Sequence, residues 1–220
     1  MNLGKLNEGV ISCRKCARLV EYRNSMGIPG RYSGENYWNK PVTGYGDING
    51  RILAVGLAPA FNGGNRTGRI FTGDKSSDFL ISSMYEVGLT NIPTSERTGD
   101  GLEYNDMYIT LALRCAPPDN KPLKSELENC RGFIENEIRL MKNLKAILSL
   151  GKIAFDSVIN DFKSRGIRIS GIRFSHGTHY DISGIRVYCS YHPSPRNVNT
   201  GLLKKEDFIS LLREIRNYVD

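Results

Sequence analysis

Apolar residues recur along this chain in two rhythms. Near-continuous apolar runs occupy 52–57, 107–113, 146–150 and 185–191, each bounded by glycine, proline or polar residues. Runs of that length are buried strands. Between them lie segments with apolar residues every third or fourth position, at 76–87, 125–142, 152–162 and 204–218. The last carries Phe208, Leu211, Leu212, Ile215 and Val219 on one helical face. Strands apolar on both faces, alternating with amphipathic helices, predict an α/β fold built on a parallel sheet covered on both sides. The stretch 174–182 alternates weakly and predicts an extra edge strand or hairpin.

The first fifty residues show neither rhythm. They are rich in Gly, Asn, Tyr and Pro, and they read as an irregular arm wrapped over the core. At 220 residues the chain suits a single domain spanning 1–220, with residues 1–50 as that arm. No apolar run approaches the roughly 18 residues of a membrane span, and the first residues lack an apolar signal core, so a cytoplasmic protein is expected. A net charge of +7 fits a polyanionic partner as well as plain solubility. The complete absence of glutamine leans towards a thermophile, although the asparagines are plentiful.

Chemistry concentrates in the loops that follow strands. After 52–55 comes Gly56-Leu57-Ala58-Pro59-Ala60, then F-N-G-G-N-R-T-G-R-I-F-T-G-D, ending at Asp74. This glycine-rich loop supplies one flat ring, Phe71, two cations, Arg66 and Arg69, and one carboxylate. A second cassette, His192-Pro-Ser194-Pro-Arg196-Asn, follows the last strand. Two such loops at strand ends are how open α/β sheets form a ligand crevice. Gly151-Lys152 is no phosphate loop, because the earlier glycine and the following Ser or Thr are missing. His176 and His179 lack a third ligand and read as hairpin residues.

The cysteines form a separate signal. Cys13 and Cys16 make a C-x-x-C pair, and Cys115 and Cys130 are separated by fourteen residues. In a cytosolic chain this spacing points to metal ligation before disulfides. Four thiolates suit tetrahedral zinc or an iron–sulfur cluster, and the spacing does not choose between them. Unconnected core thiols are the remaining reading. Cys189, inside the last apolar strand, reads as a buried inert thiol.

Taken together, the loop ending at Asp74, the L-R-C-A-P-P-D-N-K-P segment at 113–122, Leu150-Gly151 and the H-P-S-P at 192–195 resemble the uracil-DNA glycosylase superfamily. They are most similar to its iron–sulfur, family 5 (type B) branch, over about residues 13–203. The resemblance implies a three-layer α/β/α sandwich with a central four-stranded parallel sheet. It also implies a structural 4Fe–4S cluster held by Cys13, Cys16, Cys115 and Cys130. The implied activity is removal of uracil or another deaminated base from double-stranded DNA, by a monomer that needs no membrane and no nucleotide cofactor.

Site roles follow from the same resemblance. The backbone of Gly56–Ala60 lines the base pocket, and Phe71 stacks on the flipped base; the competing reading is a core anchor at the loop exit. His192 donates a hydrogen bond to a base carbonyl. Asp74 orients water or stabilises the sugar cation, with a helix N-cap as the alternative. Family 4 relatives carry an asparagine where this chain has Leu111, and Asn120 is the matching polar candidate, which predicts a broad enzyme acting on uracil, hypoxanthine or xanthine. Arg66, Arg69, Ser194 and Arg196 are expected at DNA phosphates, with Arg196 as a wedge. From another class, the rivals are a non-catalytic damaged-DNA sensor and a zinc nucleotide-binding protein.

Overall fold

A computed structural model describes residues 2–220. Six strands form one sheet in the order β1-β3-β2-β4-β6-β5. They are β1 (Tyr45–Gly46), β2 (Ile52–Gly56), β3 (Met107–Leu111), β4 (Ala146–Leu150), β5 (His179–Ile182) and β6 (Ile185–Ser190). The four central strands run parallel, as the apolar runs predict, with Ile52 opposite Met107 and Ala146, and Ala146 opposite Arg186. Antiparallel edges complete the sheet: β1 against β3, and β5 against β6. The weakly alternating stretch at 174–182 thus supplies one edge strand.

Side chains alternate across the sheet and split the core in two. Ile52, Ala54, Ile109 and Leu148 face α4 (Lys75–Glu86) and α8 (Lys205–Val219), meeting Leu80, Ile81, Phe208 and Leu212. Leu53, Val55, Ile147 and Val187 face α5 (Lys124–Leu140) and α6 (Lys152–Ser164), meeting Ile134, Ile138, Phe155 and Val158. Each fully buried Val, Leu, Ile or Phe among them contributes about 1.5–3 kcal/mol of transfer free energy. The result is the three-layer α/β/α sandwich. No helix among the described residues is long and apolar enough to cross a membrane.

The arm departs from its expected irregularity. It holds two nine-residue helices, α1 (Leu3–Ile11) and α2 (Ala17–Ser25). Asn2 caps α1 by accepting from the Lys5 N–H at 3.0 Å, and Leu6 and Val10 bury its inner face. Leu19 and Arg23 do the same for α2. Helices this short are marginal alone, so it is packing on the core that forms them. Polar ties reinforce that packing: Arg18 pairs with Glu126 at 2.8 Å, and the Val42 N–H donates to the Arg114 carbonyl at 2.8 Å.

Candidate active site and thiol pocket

β2 lies between β3 and β4, so the chain leaves it in one direction for β3 and later crosses back to β4. This is the switch point at which open α/β sheets open a crevice beyond the strand ends. A cavity of about 710 Å³ lies there, well within the range for small-molecule sites. Leu57, Ala58, Pro59 and Ala60 line it from the end of β2, and Phe71 and Asp74 from the same long loop. Asn120 enters from the segment after β3, and His192 and Ser194 from the segment after β6. Residues from three separated stretches of sequence therefore meet in one place. Gly56 stands behind this wall: a Cβ there would meet Phe71 and Leu111 at 2.8 Å, so its lack of a side chain lets the ring settle against the strand.

Phe71 is both anchor and wall. It is 7% exposed and belongs to the core, yet it lines the cavity and lies near-parallel to the His192 ring, with centroids 6.1 Å apart and 28° between planes. Its φ of 44° is left-handed. A non-glycine residue there stores about 1–3 kcal/mol, a strain concentrated at functional sites. Asp119 and Asn120 are also left-handed, with φ of 52° and 55°. Asparagine tolerates this region, and the turn presents Asn120 at the exposed rim of the cavity.

Asp74 caps α4, as its place before the helix foretold: Oδ1 accepts from the Ser77 N–H at 3.0 Å, and the Ser77 hydroxyl accepts from the Asp74 N–H at 3.1 Å. The cap uses one carboxylate oxygen. Oδ2 has no protein hydrogen bond among the described residues and lies against Gly63, where an added Cβ would sit 2.0 Å from it. Burial raises the Asp74 pKa above the ordinary carboxylate value, against the lowering effect of the Ser77 and Ser76 N–H groups. His192 is shifted in the direction that keeps it neutral, down to about 4, by burial. Its carbonyl accepts from Asn197 Nδ2 and from the Ser194 N–H, both at 2.8 Å, which fixes the loop; the ring nitrogens have no hydrogen bond among the described residues. The cavity thus offers a neutral imidazole donor, a partly freed carboxylate and a flat apolar ring.

Two of the arginines expected at phosphates are engaged within the protein. Arg69 is 4% exposed and binds Asp100 at 2.6 Å, together with Thr72 and Ser95. Burial alone would raise the Asp100 carboxyl, but Arg69 and three backbone N–H groups hold it far below its usual range. Arg66 bonds the Asn62 carbonyl at 2.8 Å, the Gly73 carbonyl at 3.3 Å and Glu35 at 2.7 Å, and lies over the Tyr32 ring. Both arginines are struts that close the loop; their guanidinium groups are already spent. Ser194 caps the short helix α7 (Pro195–Asn199) and still lines the cavity, while Arg196 is exposed beside it. The sequence reading missed Arg31 and Tyr32, which wall the cavity from the arm. No motif or periodicity marks them, and only the tyrosine-rich composition of the arm hinted at aromatic packing.

The cysteines meet in a neighbouring pocket. Cys13, Cys16, Cys115 and Cys130 all line it, with Arg23, Arg114 and Asn129. Three donors point at sulfur: Arg23 Nη1 to Cys115 at 3.2 Å, the Arg114 N–H to Cys130 at 3.4 Å, and Asn129 Nδ2 to Cys16 at 3.6 Å. Burial pushes Cys115 up to about 12 and Cys130 up to about 11. Thiols so placed ionise only when a cation replaces their protons. Donors aimed at sulfur therefore fit a metal-loaded thiolate cage. No three His, Cys, Asp or Glu side chains among the described residues are grouped to hold a single ion. Cys189 is buried and unpaired in β6, as expected. His176 accepts from the Tyr191 N–H at 3.2 Å and His179 faces Glu214 at 3.4 Å, so the two serve the edge of the sheet.

A parallel sheet with a ring-walled cavity at its switch point, beside an arm with its own thiol pocket, defines an α/β protein with a site of small-molecule size. Residues 43–216 match the model of the uracil DNA glycosylase superfamily. The chain belongs to that superfamily. It is 43% identical to a type-5 uracil-DNA glycosylase of Pyrobaculum aerophilum, over 93% of this chain and 88% of the relative. It is also 43% identical to a type-5 enzyme of Thermus thermophilus, over 93% of each, and 38% identical to one of Mycobacterium leprae, over 98% and 95%.

Proposed function

We propose that this protein is a monofunctional DNA glycosylase that flips uracil out of double-stranded DNA and hydrolyses its N-glycosidic bond, leaving an abasic site for base excision repair. The observation that carries the reading is the meeting of Asp74, Phe71 and His192 in one cavity of a chain so similar to type-5 glycosylases. Flipping costs a few kcal/mol, least at a mismatch. Phe71 receives the extruded base on its face. As the bond breaks, negative charge grows on the base and positive charge on the sugar. Neutral His192 donates to the developing oxyanion, a contact worth about 2.7–4 kcal/mol in other enzymes. The Oδ2 of Asp74 faces the positive side, orienting water or stabilising the sugar cation.

Leu111 presents only methyl groups to the cavity, and Asn120 sits free at its rim. A pocket without a fixed polar reader discriminates weakly, so hypoxanthine and xanthine are accepted alongside uracil. The protein works as a cytoplasmic monomer, gripping phosphates through Ser194 and Arg196, with Arg196 filling the gap left by the base. Cys13, Cys16, Cys115 and Cys130 hold a 4Fe–4S cluster: they line one pocket, and three N–H donors point at their sulfurs. When bound, it supplies a covalent cross-link between arm and core.

Cleavage of fluorescent duplexes bearing one uracil or one hypoxanthine, followed by alkali, tests the reading. Scission at the damaged position, lost in Asp74→Ala and His192→Ala, is expected. A folded protein that binds DNA without scission would overturn it in favour of a damage sensor.

A further inference from the structure

We propose that Arg23 is the charge-compensating residue of the thiol pocket: its guanidinium is the buried counter-cation of the iron–sulfur cluster and sets that cluster's reduction potential. The inference rests on the cluster assignment made above.

Arg23 lies in the last turn of α2 and is 2% exposed. Buried charges are paired or they coordinate metals. The other buried or half-buried arginines of this region have carboxylate partners: Arg114 pairs with Glu137, and Arg18 with Glu126. Arg23 has no carboxylate partner among the described residues. Its Nη1 donates to Cys115 at 3.2 Å, and its Nε is buried with no acceptor among the described residues. It lines the pocket shared by the four cysteines. No carboxylate lines that pocket among the described residues, so the thiolates are the anions it offers to Arg23.

The consequence is electrostatic. Four thiolates outweigh the charge of the cluster's core, so the loaded site is anionic, and an added electron makes it more so. A desolvated cation in contact with one ligand sulfur stabilises the reduced form more than the oxidised form. Net charge and hydrogen bonds to sulfur are the levers that set such potentials. Arg114 contributes less, because Glu137 already cancels its charge.

The test compares anaerobically prepared wild type with Arg23→Gln, which keeps a donor but loses the charge, and Arg23→Lys, which keeps the charge. Iron content, absorbance and midpoint potential are read for each. Expected is a more negative midpoint in Arg23→Gln and a value near wild type in Arg23→Lys. Should Arg23→Gln fail to hold iron while Arg23→Lys holds it, the same conclusion stands. Equal midpoints in wild type and Arg23→Gln, equal shifts in both variants, or loss of iron from both would overturn it. A colourless, iron-free wild type would instead remove the cluster assignment itself, an outcome visible before any variant is measured.

Discussion

Asp74 caps a helix and faces a cavity, and asparagine separates the two jobs. At an N-cap, Asn is as good as Asp, whereas Ala costs about 1 kcal/mol. For a domain of this size that is roughly a 2–4 °C fall in Tm. Burial raises the Asp74 pKa, so its ionised form is disfavoured in the folded state. Asp74 therefore weakens the fold at neutral pH, a penalty that fades as pH falls and the carboxyl protonates. Asp74→Asn removes the penalty and keeps the cap, so its Tm should equal or exceed that of wild type. Its single-turnover rate on a uracil duplex should fall by about 10²–10⁴, the usual worth of a positioned acid–base group. Asp74→Ala should lose the same rate and also lose Tm. Melting curves and quenched-flow cleavage read both quantities on one preparation. Wild-type cleavage by Asp74→Asn would refute the reasoning and leave Asp74 as a cap alone.

Gly63→Ala puts a Cβ 2.0 Å from Asp74 Oδ2, so the carboxylate must swing away; the single-turnover rate should fall towards that of Asp74→Asn, with about 1 kcal/mol of stability lost with the cap, and an unchanged rate would contradict this. His192 has its pKa depressed to about 4, so it resists the proton that the unfolded chain accepts near 6.5. Wild type should lose stability relative to His192→Gln as pH falls from about 6.5 to 4, by about 3 kcal/mol in all, measured as the difference between their urea midpoints. Asp100→Asn leaves the buried Arg69 cation unpaired, so about 3–5 kcal/mol should be lost, or roughly 6–20 °C in Tm; thermal melts at pH 7 check it.

The sheet was legible because its strands are apolar on both faces, and only a covered parallel sheet demands that. The edges were not: β1 has two residues, and its register comes from Tyr45 and Gly46 meeting Ile109 and Tyr108, a tertiary fact with no local trace. The arm's helices escaped for the same reason. Leu6 and Val10 in α1, and Leu19 and Arg23 in α2, are each four apart, but nine residues give one buried face too few points to stand out. Loop residues with reactive groups were legible by type: Asp74, Phe71, Asn120 and His192 do share one cavity. Arginine is the least legible, because its type cannot tell a phosphate contact from a strut. That choice is made by Asp100 for Arg69, and by Glu35 with two loop carbonyls for Arg66.

Those struts explain how a strained loop holds its shape. Phe71 keeps a left-handed φ of 44°, which a free loop would relax. Arg66 ties Asn62 to Gly73 across it, Arg69 ties its far side to Asp100, and Asp74 ends it in a helix cap. Ion pairs and a cap thus hold the strain together with the packing of the Phe71 ring in the core. The arm joins the same brace: Glu35 and Tyr32 contact Arg66, and the Tyr37 hydroxyl donates to Asn62 at 2.8 Å. Ala58, a wall of the cavity, packs in the same cluster as Cys16, Cys115 and Cys130. The thiol pocket and the cavity therefore share a wall and a brace. Holding the arm in place is then a condition for a correctly shaped cavity, because Glu35, Tyr32 and Tyr37 of the arm contact the loop that walls it.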